Sequence, residues 1–260
     1  MKSIIMNDFS VQRILSGAKT QTRRVVKLRN LPNSEIASIH RDGAGFGWIA
    51  WSPKPVSAEE TARIYPGPSG FPCPYGKVGD HLWVRETWRI ESFLEGEPVW
   101  FGYRADGDVA IEDSTDDPRY EAWWERIAVQ STDELIKMNW PRKDADDVFH
   151  WNHKCSPLRW RPSIFMPRWA SRITLKITDI RVERVQEISG EDCVNEGATT
   201  LTDLNMMLSK KDKTPFHEQN NRKARAIFQA LWDSINSKKG YSWNDNPWVW
   251  CISFKVVDKL

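Results

Sequence analysis

The sequence is short of cysteine, of net charge and of long apolar runs. Cys73, Cys155, Cys193 and Cys251 are its only four cysteines in 260 residues, and none stands in a CxxC pair. That spacing reads as free thiols in a reducing compartment. Lysine and arginine number 37 against 35 aspartates and glutamates, a formal charge of +2. So close a balance excludes a histone-like polycation and an acidic solvating tail. No apolar run approaches the ~20 residues that a membrane helix needs. Near the start only Ile4-Ile5-Met6 is apolar, too short for a signal-peptide core. The expectation is a soluble, cytoplasmic protein. Internal repeats and low-complexity tracts are absent as well.

What is present is a core. Hydrophobic residues make up 40% and aromatics 12%, enough for a packed interior. Fifteen tryptophans stand out. Most belong inside, yet so many indoles also offer stacking faces for bases or sugars. The near-neutral total hides segregation. Residues 1–29 carry a net +6, residues 154–184 a net +6, and residues 95–147 a net −9. The acidic block reads as a solvated face. Two basic blocks meeting in space would form an electrostatic footprint for phosphates.

Hydrophobic periodicity predicts an α+β chain. Ser3–Met6 reads as a strand. Asn7 then caps a short helix with Asp8 in its first turn, and Gly17 ends it. Residues 18–24 read as a polar turn leading to Val25-Val26. Prolines and glycines mark residues 30–77 as an irregular insertion. Gly79-Asp80 turns into a strand, His81–Trp88, and Pro98–Tyr103 is a second. Residues 105–160 form another insertion, with helices near 120–127 and 132–138. Arg172–Val185 alternates as a long strand with a phase shift at Thr178–Ile180. Ser189 caps a helix that runs to Glu196 and stops at Gly197. Helices follow at 202–208 and 221–235, and Trp248–Val257 is a last buried strand.

Several residues carry candidate chemistry. Lys19-Thr20-Gln21-Thr22-Arg23-Arg24 offers an amine, hydroxyls, an amide and two guanidiniums. A basic turn after a helix is the plain reading, because cations suit a helix C-terminus. A phosphate or base clamp is the functional one. A lysine beside a threonine also supplies the parts of a nucleophile, if burial depresses the lysine. Glu86, on the mainly apolar face of its strand, needs a partner, and an arginine is the simplest. Glu196 stands at a helix C-terminus, where the dipole disfavours a carboxylate. His150, His153 and Cys155 could seed a zinc site with Cys73, but the spacing matches no standard pattern and reads as an exposed loop. In Arg159–Arg172, arginines and tryptophans interleave around Pro162 and Pro167. That stretch suits either internal Arg–Trp packing or the rim of a nucleic-acid groove.

The order of these features resembles the ASCH domain, a branch of the PUA-like fold. The resemblance rests on Ile14-Leu15-Ser16-Gly17, Lys19-Thr20-Gln21-Thr22-Arg23-Arg24, Gly79-Asp80 into a strand, Asn195-Glu196-Gly197 and the final strand. With the Trp83–Trp88 strand, Arg161–Ile164 and Met166–Arg172, the chain looks like ASCH proteins of tailed phages and prophages. About 1–29, 78–104 and 161–260 are covered. The resemblance implies a single domain, 1–260, built on a small PUA-like β-barrel with flanking helices and insertions at about 30–77 and 105–160. It also implies a cleft for RNA or a nucleoside. Bacterial relatives that hydrolyse N4-acetylcytidine use a lysine, a threonine three positions on, an arginine two beyond it and a glutamate in the later helix. Lys19, Thr22, Arg24 and Glu196 match. On that basis Lys19 is the general base, Thr22 the nucleophile and Glu196 the proton donor or orienting group. Arg23, Arg24, Trp83, Glu86 and Trp169 would contact substrate, with no metal and no cofactor required. A non-catalytic module that binds RNA or a modified base is the alternative. A third, weaker reading is a phage interaction protein docking through the acidic insertion.

Overall fold

A computed structural model describes residues 1–28, 31–41, 47–51, 71–93, 99–112, 118–143, 148–149, 151, 154–198 and 216–257. In chain order these form β1 (Lys2–Ile5), α1 (Asp8–Leu15), β2 (Gln21–Val25), β3 (Ser38–Arg41), β4 (Trp48–Trp51), β5 (His81–Arg85), β6 (Trp88–Ser92), β7 (Val99–Tyr103) and β8 (Val109–Glu112). There follow α2 (Pro118–Lys137), β9 (Arg142–Lys143), β10 (Val148–Phe149), β11 (Thr174–Arg184), α3 (Gly190–Asn195), α4 (Phe216–Asn236) and β12 (Trp248–Val257). The chain is mixed α+β. One sheet has five strands in the order β1-β5-β11-β12-β2, another has three, β6-β7-β8, and β3-β4 and β9-β10 are two-stranded. Among the described residues these sheets are open and no closed barrel is found. No described helix is long and apolar enough to cross a membrane.

Packing divides the chain into two compact units. The first comprises the described residues of 1–2, 13–82 and 175–257; the second comprises those of 3–12 and 83–174. In the first, one core joins Val249 and Cys251 of β12 to Cys193 of α3 and to Ala224, Phe228 and Trp232 of α4. Trp250, next along β12, packs edge-on against Trp48 and Phe71 at 5.6 and 5.8 Å. Successive residues of a strand face opposite ways, so β12 carries an aliphatic and helix-covered side and an aromatic side. In the second unit, Trp88, Ile90, Phe101 and Tyr103 of the three-stranded sheet pack with Trp123, Ile127 and Leu135 of α2.

Four expectations change. Residues 21–25 are not a polar turn but strand β2, paired antiparallel with β12 from Gln21↔Ser253 to Val25↔Val249. Their polarity hid the strand, because their burial is satisfied by charge partners rather than by apolar neighbours. The strand expected over 81–88 breaks after Arg85 and resumes at Trp88. At the break Glu86 turns to a paired arginine, and its N–H meets Met166 Sδ at 3.3 Å. The two helices expected near 120 and 132 are one helix of 20 residues. Ser131, fully buried, continues the stripe Trp123, Ile127, Ser131, Leu135, so a single hydroxyl broke the apolar pattern without breaking the helix. Within the segment expected to be irregular, β3 and β4 form a hairpin from Ser38↔Trp51 to Arg41↔Trp48. The helix expected at 202–208 lies outside the described residues. So do His150 and His153; Cys155 is exposed.

Candidate functional site

The site begins with two helix ends of the first unit. Gly17 takes φ +74° and its N–H returns to Ile14 O, so the chain turns sharply after α1. Lys19 N–H donates to Arg13 O at 2.9 Å and Thr20 N–H to Asn195 O at 2.8 Å. At the other end Ser189 caps α3 by accepting from Asp192 N–H at 3.0 Å. Gly197, at φ +71°, ends it. A Cβ at Gly197 would stand 3.0 Å from the Cβ atoms of both Arg13 and Lys19. Glycine there lets the helix end press against Lys19. Lys19 and Glu196 thereby meet as an isolated antiparallel bridge.

Their side chains meet as well. Lys19 Nζ lies 2.7 Å from Glu196 Oε2 and donates to Glu196 O at 2.8 Å. Both residues are only 4% exposed. Arg23 Nη1 donates to Glu196 Oε1 at 3.1 Å and to Gln21 Oε1 at 2.6 Å. Its other edge takes Glu183 and Asp192, the latter at 3.1 Å. Arg181 closes the ring, 2.6 Å from Asp192 Oδ2 and 3.0 Å from Glu183 Oε2.

Sheet register explains how these groups converge. Arg23 stands opposite Cys251, and cross-strand partners share a face. β12 lies between β2 and β11 in the sheet. The small Cys251 side chain therefore leaves room for Arg23 to reach Glu183 on β11. Gln21 lies on that face too, bonded to Ser253 Oγ at 3.2 Å. Thr22 and Arg24, opposite Ile252 and Trp250, lie on the other face.

Burial sets the electrostatics. It pushes the Lys19 ammonium below its ordinary value; Glu196 works against that fall, while Arg24 and Arg23 add to it. Burial also lowers Arg24, against the pull of Tyr75 and Glu196. Arg24 is thus within electrostatic reach of the Lys19–Glu196 pair from Thr22's face of β2. For Asp192 and Glu183 burial would raise the carboxyls, but Arg23 and Arg181 outweigh it and hold both low. The Cys251 thiol is pushed up by burial. Chemically the cluster offers a buried amine that donates to a buried carboxylate, with Thr22 on the face of β2 opposite Arg23.

The structure brings Lys19, Arg23 and Glu196 into direct contact and places Thr22, 4% exposed, beside Arg23 on β2 but on the opposite face. Trp83, Glu86 and Trp169 belong to the second unit. Glu86 is gripped by Arg172 through two bonds of 3.0 Å, the arginine partner its strand position called for. The Trp83 ring carries Arg85 at 4.6 Å and Arg168 at 6.0 Å. Trp169 packs edge-on against Trp123 at 5.6 Å. Sequence reasoning missed Arg181, Glu183, Asp192 and Cys251 as members of the cluster. The available signal was the i, i+2 spacing of Gln21/Arg23 and Arg181/Glu183, which places each pair on one face of a strand. Among the described residues no group of three His, Cys, Asp or Glu side chains is placed to hold a metal ion. No family model, no curated protein and no solved structure matches the chain.

Proposed function

We propose that the chain is an ASCH-type amidohydrolase that removes the acetyl group from N4-acetylcytidine or a related acetylated cytidine, free or within RNA. In this reading the five-stranded sheet with α3 and α4 is the PUA-like part of the fold. The observation that carries the proposal is the buried Lys19–Glu196 pair, whose lysine is pushed toward its neutral form. A lowered lysine hydrogen-bonded to a carboxylate is shifted in the direction a lysine general base requires.

The reaction follows from these groups. Thr22 Oγ adds to the acetyl carbonyl carbon while its proton passes to Lys19 Nζ. Arg24, on Thr22's side of β2, offsets the charge on the tetrahedral oxygen. Collapse breaks the C–N bond, and the exocyclic amine leaves as cytidine with the proton held by the Lys19–Glu196 pair. Water then opens the acetyl–Thr22 ester and releases acetate. Arg23 is committed to three carboxylates, so its part is to fix Glu196. The same commitment makes a phosphate clamp at Lys19 and Arg23 the poorer use of this segment.

The test is incubation of the protein with N4-acetylcytidine, following cytidine and acetate by chromatography. Turnover is expected in the wild type and in Thr22→Ser, and none in Thr22→Ala or Lys19→Ala. Thermal melts establish that the variants fold. No release at enzyme excess overturns the assignment.

A further inference from the structure

The second unit holds a cavity of about 690 Å³ that the proposed chemistry does not use. One wall is α2. Trp123, Arg126, Ile127 and Gln130 line it, at the i, i+3, i+4, i+7 spacing that puts them on one helix face. The opposite wall is the Arg/Trp/Pro segment singled out in the sequence, here Arg159 to Phe165. The cavity lining contains three arginines, while Glu134, outside the lining, lies 3.5 Å from Arg159 Nε and 4.0 Å from Arg161 Nη2. At the rim Phe165 is 70% exposed, and the Arg159 side chain is 72% exposed.

Arg161 is the informative residue. Its side chain is only 9% exposed. Its nearest side-chain acceptors are distant: Gln130 Oε1 and Ser131 Oγ at 3.5 Å, and Glu134 Oε2 at 4.0 Å. Among the described residues its Nε has no hydrogen-bond partner. The guanidinium lies 5.8 Å from the centre of the Trp88 ring, and the two backbones pair, with Arg161 N–H donating to Trp88 O at 2.6 Å. Trp88 Nε1 is likewise buried without a partner among the described residues. Both residues line the cavity. Buried polar groups are almost always satisfied, and an arginine and an indole nitrogen can only donate. Two idle donors beside two more arginines call for a ligand rich in acceptor oxygens. The Phe165 ring, 70% exposed at the rim, offers a face for a flat, aromatic one.

We infer that this cavity is a nucleotide-binding site, taking one base-bearing phosphate with the phosphate toward Arg126, Arg159 and Arg161 and the base against the Phe165 ring. Arginine suits phosphate through its planar fork of donors, and base–aromatic stacking tolerates any base. A free mononucleotide and one residue of a single-stranded RNA both supply such a phosphate. The site shares no residue with the Lys19–Thr22–Glu196 cluster, so either assignment can fail alone.

The test is titration calorimetry with the four ribonucleoside 5′-monophosphates, with inorganic phosphate and with the uncharged nucleosides. Fluorescence anisotropy with a short labelled single-stranded oligoribonucleotide accompanies it. Arg126→Ala, Arg159→Ala and Phe165→Ser alter exposed side chains and leave the fold intact, which circular dichroism checks. The nucleotide or the oligonucleotide should bind at least about tenfold more tightly than phosphate or nucleoside alone. The Arg126→Ala/Arg159→Ala pair should weaken binding by about tenfold or more, and Phe165→Ser by a smaller factor. In the RNA arm the double variant should also flatten the salt slope by roughly 1 to 1.5. Binding of RNA without mononucleotides, lost in these variants, assigns the site to a strand; binding of both assigns it to the nucleotide. Thr22→Ala should bind as the wild type does. Absence of binding in both arms, or binding that these variants leave unchanged, overturns the inference.

Discussion

Glu196→Gln isolates the buried charge at the centre of the first unit. The substitution keeps the shape and an acceptor oxygen but removes the negative charge. Arg23 still has Glu183 and Asp192. Lys19 keeps only the Glu196 carbonyl, 2.8 Å away, as a strong acceptor. Removing one partner of a buried ion pair costs about 3–5 kcal/mol, because the other charge stays buried. With an m-value of about 2–3 kcal/mol/M, the urea midpoint should fall by roughly 1–2 M at pH 7. The loss should depend on pH. Lys19 is already held below its ordinary value by burial, and without Glu196 it falls further. The unfolded chain then binds a proton that the folded chain does not, so stability rises with pH and the deficit narrows as pH climbs from 7 toward about 10. Lys19→Met/Glu196→Gln should recover most of the loss, since it leaves no bare charge. Urea titrations followed by tryptophan fluorescence at pH 7 and near pH 9.5 measure all three proteins. A midpoint shift equivalent to less than about 1 kcal/mol, or a deficit of the same size at both pH values, would refute the buried-pair reasoning.

Three further outcomes follow from the same geometry. Burial would raise Asp192 and Glu183, yet Arg23 and Arg181 hold them low. Their stabilisation is complete above about pH 4.5 and drains away as pH falls through the depressed values; Arg181→Gln should make the acid loss of Tm shallower in melts between pH 7 and 3. Gly197→Ala forces an alanine to φ +71° and sets its Cβ 3.0 Å from those of Arg13 and Lys19; it should cost about 1–2 kcal/mol in urea unfolding, and unchanged stability would contradict the close approach. Cys155 is exposed, whereas Cys73, Cys193 and Cys251 are buried, and burial pushes the Cys193 thiol up to about 12. A chromogenic disulfide reagent at pH 8 should therefore titrate one thiol rapidly in the native protein and all four in denaturant.

Features set by near neighbours in sequence were legible. Asn7 accepts from Ser10 N–H at 2.9 Å, and Ser189 and Gly197 bound α3 as their residue types imply, because a cap is decided within four residues. The long strand β11 was legible for the same reason. Leu175 and Ile177 are buried, Thr178 and Asp179 exposed, and Ile180 buried again, so its phase shift is real. What a distant partner decides was not legible. Gln21-Thr22-Arg23-Arg24 has no apolar alternation, and only the facing β12 makes it a strand. Ser131 could be told from a helix break only by the core it enters.

Lys19 and Glu196 are 177 positions apart, and Arg23 and Glu183 are 160 apart. No local pattern announces such pairs: Lys19 and Glu196 each stand out singly, and only a family resemblance joins them. Yet the first unit does carry a period of two, written in charge instead of hydrocarbon. Gln21 and Arg23 alternate on β2 as Arg181 and Glu183 do on β11, and Cys251 lies between them on β12. A strand that buries charge must place its partners on the same face of the sheet. Polar groups at i, i+2 on two strands, complementary across a small residue on the strand between, therefore mark an interior as alternating valines do. In this chain they mark the interior where the candidate chemistry sits.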